Sequence, residues 1–247
     1  MTQDITASCS ADGRDPASRG AEPRPPEAGP GRRLDIVSDA ICPWCFIGKR
    51  QLESALATLE AEGLRFAIHW NPFQLNPDMP AEGVARAAYR AAKFGSAERS
   101  AALDARVSQA AAAVGLTFAL DRQLRTPNTI AAHRLIWFAG QAGVQDAAME
   151  AVLTAYFLDA RDIGDAAVLA DCAASAGIDR AEAAAFLASD TAAAEIRAAD
   201  QQARSAGVSG VPSFFLDGYF LFSGALPADQ MAGALRQAHD VLQRQAA

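Results

Sequence analysis

The stretch LDIVSDAICPWCFIGKR, residues 34–50, contains the elements that decide the fold. Residues 34–38 alternate in character and include β-branched side chains, which predicts a short strand. Cys42 and Cys45 follow almost at once. From there a helix is predicted to about Glu62, because leucines recur at spacings of four and three. The two cysteines therefore fall where a strand passes into a helix.

The position of these cysteines points to thiol chemistry. A cysteine reacts as the thiolate, and unpaired N–H groups and the helix dipole at a helix start favour that anion. Pro43 suits the first helical position, because its missing N–H would be unpaired there anyway. Cys45 falls one turn after Cys42 on the same helical face. We therefore predict a redox pair in which Cys42 attacks and Cys45 resolves the mixed disulfide.

A zinc site is one alternative interpretation of the two cysteines. Zinc usually takes four ligands, and the sequence holds no second Cys-x-x-Cys and no His-x-x-x-His. Only Cys9, Cys172 and three isolated histidines remain as further ligands. We expect no metal. A pair of inert buried cysteines is the other alternative, and the Pro-Trp dipeptide between them at a strand–helix junction argues against it.

The rest of the chain predicts a mixed sheet interrupted by helices. Residues 64–70 alternate as a second strand, and strand signals return at 213–216 and 219–222 around a two-residue Asp-Gly turn. Between about 81 and 206 the pattern is helical, without a convincing strand. The order β-α-β, helices, β-β-α predicts an α/β protein with a thioredoxin fold and a large all-α insertion.

The domain boundaries follow from this order. Residues 1–33 are rich in Pro, Gly, Ala and Ser and predict a disordered tail. Residues 34–80 and 207–247 form the predicted thioredoxin-fold domain, and residues 81–206 form the inserted helical subdomain. Within the insertion, Thr126–Asn128 predict the capped start of a helix.

Composition narrows the location and the partners. The chain has 247 residues and is 51% hydrophobic, with a net charge of −7 and a pI of about 5.0. An acidic chain argues against nucleic acid or an anionic membrane as the main partner. No segment approaches the roughly 20 apolar residues of a membrane span, and the first residues do not resemble a secretory signal. We expect a cytoplasmic protein, in which thiols are kept reduced.

Four segments resemble the DsbA superfamily, and specifically its FrnE-like branch, which is related to 2-hydroxychromene-2-carboxylate isomerases and kappa-class glutathione transferases. The resemblance covers the chain from about Leu34 onward. The segments occur in the family's order, and they are Asp39–Gly48, Trp70–Pro77, Thr129–Leu135 and Ser209–Phe215.

The resemblance implies roles for several residues. Cys42 would be the nucleophile and Cys45 the resolving thiol. The Val211–Pro212 bond would be cis and would face them, although an ordinary X-Pro bond is cis only about one time in twenty. The main chain of Val211 would then contact the substrate. The isomerase and transferase relatives have serine at the first catalytic position, so Cys42 favours redox chemistry.

Three further residues are weighed as site candidates. Asp39, three residues before Cys42, could exchange protons with the thiols, but a loop residue bonding to neighbouring backbone is the favoured interpretation. His133 is expected in the helical core rather than as a base, since the sequence names no partner for it. Trp44 is expected to be exposed to partners. Cys172 is predicted to be a small buried residue and Cys9 to be exposed in the tail.

The main functional hypothesis is a protein-disulfide oxidoreductase or isomerase of DsbA type that exchanges disulfides through Cys42–Cys45. Its partners would be protein or small-molecule thiols and disulfides. No tightly bound cofactor is expected, and glutathione is a candidate redox partner. One alternative is a glutathione-dependent isomerase or transferase. Another is a non-catalytic, chaperone-like binding module.

Overall fold

The computed structural model describes residues 31–246. Along the chain the elements are β1 Arg32–Ser38, α1 Pro43–Ala61, β2 Phe66–Pro72, β3 Val84–Ala85, α2 Arg86–Phe94, α3 Ala97–Ala112, β4 Arg125–Thr126, α4 Ile130–Gln141, α5 Gln145–Phe157, α6 Ala166–Ser175, α7 Arg180–Ala188, α8 Ala193–Ser205, β5 Ser213–Leu216, β6 Tyr219–Ser223 and α9 Ala228–Ala246.

The four longer strands form one mixed sheet in the order β2-β1-β5-β6. Strand β1 runs parallel to β2 and antiparallel to β5, with Ile36 opposite both Trp70 and Phe214. The β5–β6 turn is the predicted hairpin turn: Asp217 and Gly218 have φ of 49° and 86°, as a type I′ turn requires. This sheet, with α1 after β1 and α9 after β6, confirms the predicted thioredoxin fold.

The helices cover the sheet and pack around the segment that follows β1. Helices α1 and α9 pack against each other, and α4, α5 and α8 contact β2. Leu34 and Ile36 of β1 and Leu135 of α4 are fully buried in one continuous core. The inserted helices and the sheet share this core, and Ala40, in the segment after β1, belongs to it.

The insertion differs from the prediction in two places. Residues 81–206 were expected to hold no strand, but β3 and β4 pair as a small antiparallel ribbon. Two-residue strands are too short to show alternation, so the sequence pattern could not reveal them. Thr126, predicted to begin a helix, lies in β4 instead. Helix α4 begins at Ile130, whose N–H donates to the Asn128 side chain at 2.9 Å.

The predicted disordered tail lies outside the described residues except for residues 31–33, and β1 already begins at Arg32. Cys9 also lies outside them. The boundaries predicted for the two domains stay a prediction.

None of the helices in the described part of the chain is long and apolar enough to cross a membrane.

Candidate active site

Cys42 lies at the N-terminus of α1. It is the N-cap residue, with extended backbone angles, and Pro43 follows at the first helical position as predicted. The Cys42 N–H donates to the Asp39 carbonyl at 3.1 Å, which closes a tight turn between strand and helix. The sulfur is thereby held at the N-terminus of α1, at the positive end of the helix dipole.

The loop before β5 faces this sulfur. The Val211–Pro212 peptide bond is cis, as the family resemblance implies. The Cys42 thiol donates to the Val211 carbonyl oxygen at 3.6 Å. Gly48 of α1 lets the loop approach, because a Cβ at this position would lie 3.0 Å from Cγ of Pro212. The structure therefore brings together residues that are 169 positions apart.

Cys45 is more deeply buried than Cys42, with 1% of its surface exposed against 4%. Both are free thiols. Burial is the main reason why the pKa of Cys45 lies well above its usual range, and the hydrogen bond to Cys42 and the charge on Cys42 raise it further. The Ser38 hydroxyl and the Asp39 backbone act in the opposite direction. At neutral pH, Cys45 is therefore a protonated thiol.

Asp39 and His133 lie together behind the cysteines. Asp39 is fully buried, and its carboxylate accepts from the Leu75 N–H at 2.7 Å and more weakly from the Ile41 N–H at 3.5 Å. Nε2 of His133 is 3.4 Å from the Asp39 carboxylate and 3.1 Å from the Phe73 carbonyl oxygen. Asp39 thus ties the active-site turn to the segment after β2. The contact between Asp39 and His133 could not be predicted from the sequence, since the two residues are far apart in the chain.

A cavity of about 360 Å³ opens in front of Cys42, and we call it the front cavity. The residues at its cysteine end include Trp44, which is 41% exposed, and Val211. Its far wall is α2 with parts of α3 and α5. The described residues that line it include Cys42 but not Cys45. A substrate entering here therefore meets Cys42 first.

Three cations line the front cavity from α2: Arg86, Arg90 and Lys93. Asp104 pairs with the first two, at 2.9 Å and 2.7 Å, and is the carboxylate among the lining residues. Lys93 donates to the Asn76 side-chain oxygen at 3.2 Å and carries no ion pair in the described structure. The wall therefore has a net positive charge in an acidic protein. In the sequence these cations share one face of a helix that buries none of its residues, so they look like an ordinary solvated face.

Metal ligands do not gather at this site. Within residues 31–246, no group of three or more His, Cys, Asp or Glu side chains is placed to hold a metal ion.

Comparisons with known proteins agree with this geometry. The family model of the DSBA-like thioredoxin domain matches residues 33–236. A probable DsbA oxidoreductase from Streptomyces coelicolor is 33% identical, with a TM-score of 0.74 over 85% of this chain and 90% of that one. The sequence has no significant match among curated proteins.

Two more distant structures share the fold. A 2-hydroxychromene-2-carboxylate isomerase is 20% identical, with a TM-score of 0.60 over 87% of this chain and 97% of that one. The cytosolic disulfide reductase DsbM from Pseudomonas aeruginosa, solved with glutathione, is also 20% identical, with a TM-score of 0.55 over 87% and 98%. The match over most of the chain confirms the resemblance to the DsbA superfamily, and the protein belongs to the DSBA-like thioredoxin domain family.

Proposed function

We propose that this protein is a thiol–disulfide oxidoreductase in which Cys42 is the nucleophile and Cys45 the resolving thiol. The observation that carries the proposal is the placement of the two sulfurs. Cys42 lies at a helix N-terminus and opens onto the front cavity, whereas Cys45 lies one turn later and is buried behind it. Membership of a disulfide oxidoreductase family supports the same chemistry.

The first step is attack by the Cys42 thiolate on a substrate disulfide. A bond forms between Cys42 Sγ and one substrate sulfur, and the other substrate sulfur leaves as a thiolate. The Val211 main chain, 3.6 Å from Cys42 Sγ at its carbonyl oxygen, is the proposed contact for the substrate. Trp44 and Pro43 would border the bound substrate on the helix side.

The second step is resolution by Cys45. Once Cys42 carries the substrate sulfur, its charge and its hydrogen bond to Cys45 are gone, so two of the three influences that raise the pKa of Cys45 disappear. Cys45 then loses its proton and attacks Cys42 Sγ. The Cys42–Cys45 disulfide forms, and the second substrate thiolate leaves. The substrate gains the two electrons that the enzyme loses, and the same steps reversed oxidise a dithiol.

Cys45→Ser is the variant that tests this proposal. We expect this variant to keep the first step and lose the second, because serine is not a nucleophile at neutral pH. A mixed disulfide on Cys42 therefore accumulates. Mass spectrometry of the full-length chain, with Cys9→Ser and Cys172→Ala in all variants, would show one substrate adduct per chain. Cys45→Ser protein that forms no adduct, or turns over like the parent, would contradict the assigned roles.

Glutathione is the proposed low-molecular-weight partner. The Lys93 ammonium group and the two arginines of α2 face the front cavity, where a peptide thiol with two carboxylates would be attracted. DsbM, a protein of the same fold, was solved with glutathione. The cationic wall, rather than this distant likeness, is the reason for the assignment.

Lys93→Glu is expected to raise the KM for glutathione disulfide about three- to tenfold, with kcat little changed. An exposed charge contributes up to about 1 kcal/mol to the free energy of binding, and this variant reverses the charge. The KM for uncharged hydroxyethyl disulfide should stay within about twofold. The matched control is Arg106→Glu, the same charge reversal at an exposed position on α3 that does not line the front cavity. An equal rise in KM in Lys93→Glu and Arg106→Glu would argue against an anionic substrate on this wall. So would an equal rise in KM for the two substrates in Lys93→Glu.

A further inference from the structure

Segment 73–75, which follows β2, borders the redox centre. Leu75 lines the front cavity together with Cys42 and Val211. Its N–H donates to the buried Asp39 carboxylate at 2.7 Å, and the Asp39 carbonyl oxygen accepts from the Cys42 N–H. One side of the segment is therefore bonded to the turn that holds the nucleophile.

The other side of the segment is bonded to helix α8. The Gln74 N–H donates to the Asp200 carboxylate at 2.8 Å, and the Gln74 carbonyl oxygen accepts from the Arg204 guanidinium. Arg204 also donates to Asp200 through two hydrogen bonds of 3.1 Å, from Nε to Oδ2 and from Nη2 to Oδ1. The guanidinium lies over the Phe73 ring, with Cζ 4.2 Å from the ring centroid. Both backbone polar groups of Gln74 are thus held by one ion pair.

The burial of this ion pair points to a geometric role. Asp200 is 5% exposed, so little water competes for its carboxylate. A guanidinium that donates two parallel hydrogen bonds to a carboxylate fixes the orientation of the pair as well as its distance. Desolvation offsets much of the attraction in a buried ion pair, so we expect its main contribution to be a fixed geometry.

The same end of α8 leads into the loop that carries Val211. Arg204 lies in the last turn of α8, and Gly207, with φ of 88°, follows the end of the helix. Val208 packs with Phe73 in a small apolar cluster, and Val211 packs against that cluster. The chain from Arg204 to Val211 is short. The position of this helix end against Phe73 therefore sets where the Val211 main chain lies.

We propose that Asp200 and Arg204 are positioning residues, which hold the Val211 main chain where it contacts the substrate. This inference rests on the proposed function. Through Gln74 the pair joins the two sides of the site, which are the turn before α1 and the loop before β5. The Val211 carbonyl oxygen lies 3.6 Å from Cys42 Sγ. Attack requires reacting atoms within about 3.5 Å, and a displacement of about 1 Å can lower the rate up to about a hundredfold.

The test compares two reactions of a single thiol. Full-length protein in the Cys9→Ser, Cys45→Ser, Cys172→Ala background retains only Cys42 as a thiol. With glutathione disulfide, a bond forms between Cys42 Sγ and one glutathione sulfur, and the other glutathione leaves as a thiolate. This reaction uses the proposed contact with Val211. Iodoacetamide alkylates the same sulfur and releases iodide, and it is too small to need that contact.

Both rates are measured by mass spectrometry across a range of pH, in the parent background and in two variants of the ion pair. Asp200→Asn removes the charge that holds the guanidinium, and Arg204→Met removes the guanidinium itself. Arg197→Gln is the matched control, because Arg197 is an exposed residue of the same helix and donates to the Ala193 carbonyl of that helix. Circular dichroism checks the fold of each variant.

Asp200→Asn and Arg204→Met are each expected to slow formation of the glutathione mixed disulfide about tenfold, while alkylation stays within about twofold at each pH. A loss of stability alone would not separate two reactions of one sulfur. The double variant should lose little more than either single variant, because the two residues act as one pair. Arg197→Gln should leave both rates unchanged.

Mixed-disulfide formation at the parent rate in folded Asp200→Asn and Arg204→Met would overturn the inference. Equal losses in the two reactions, or losses that multiply in the double variant, would overturn it as well. Arg204→Met carries the test if Asp200→Asn does not fold, since the Arg204 side chain is 32% exposed. Absence of the glutathione adduct in the parent background would instead refute the proposed function.

Discussion

Replacing Cys42 by serine is expected to lower the rate of disulfide exchange by more than about a thousandfold, because the variant loses the attacking sulfur. The hydroxyl would keep the N-cap position of α1 and the turn from Asp39, so the fold should be retained. Insulin reduction with a thiol donor measures the loss, and circular dichroism confirms the fold. Residual exchange near the parent rate would show that another thiol carries the reaction.

The same variant distinguishes the proposed function from the main alternative. A glutathione-dependent isomerase or transferase activates glutathione rather than its own thiol, and its relatives have serine at this position. Cys42→Ser would then keep glutathione-assisted isomerisation largely intact. The parent should show disulfide exchange and Cys42→Ser neither activity. A variant that loses exchange but isomerises a hydroxychromene substrate with glutathione would favour the alternative.

Phe157→Ala is expected to have the largest effect on stability. Phe157 is 2% exposed at the end of α5, and its ring lies 4.8 Å from that of Phe118 and 6.2 Å from that of Phe46. Phe46 directly follows Cys45, so this cluster joins the start of α1 to the insertion. Truncating a buried phenylalanine costs about 3–5 kcal/mol through lost burial and the cavity it leaves.

Urea unfolding, followed by circular dichroism, measures the change in the free energy of unfolding. Phe186→Ala is the control, because Phe186 stacks on Phe138 at 4.4 Å on a part of the insertion that does not line the front cavity. Phe186→Ala should lower the free energy of unfolding less than Phe157→Ala does, since Phe186 is only partly buried. It should leave disulfide exchange unchanged. Phe157→Ala should also weaken exchange, because Phe157 lines the front cavity. If Phe157→Ala lowered the free energy of unfolding by less than about 1 kcal/mol, the aromatic cluster would not be what holds the insertion to α1.

The sequence predicts the parts of the fold that depend on local patterns. The alternation in residues 34–38, the Asp217-Gly218 turn and the leucine spacing of α1 each report a local backbone preference, and the structure has all three. The family resemblance added the cis bond at Val211–Pro212, which base rates alone would have left trans.

The cationic wall could not be predicted in the same way. Helix α2 buries none of its residues, and its cations Arg86, Arg90 and Lys93 recur at spacings of four and three on one face, which in the sequence looks like an ordinary solvated face. They face the front cavity only because α2 packs over it. The strands β3 and β4, which precede α2 and follow α3, are too short to leave a pattern.

The contacts behind the cysteines depend on tertiary structure. Asp39 and His133 meet because α4 contacts β2, the strand beside β1, and nothing in their sequence spacing encodes that approach.

The redox equilibrium of the Cys42–Cys45 pair against glutathione tests the central claim most directly. Trp44 lies between the two cysteines and is 41% exposed, so its fluorescence should report the disulfide, with Trp70 and Trp137 as background. We predict a single two-electron transition that is absent in Cys42→Ser, with a midpoint that shows whether the protein donates or accepts disulfides. Both thiols remaining free in strongly oxidising glutathione would contradict the account.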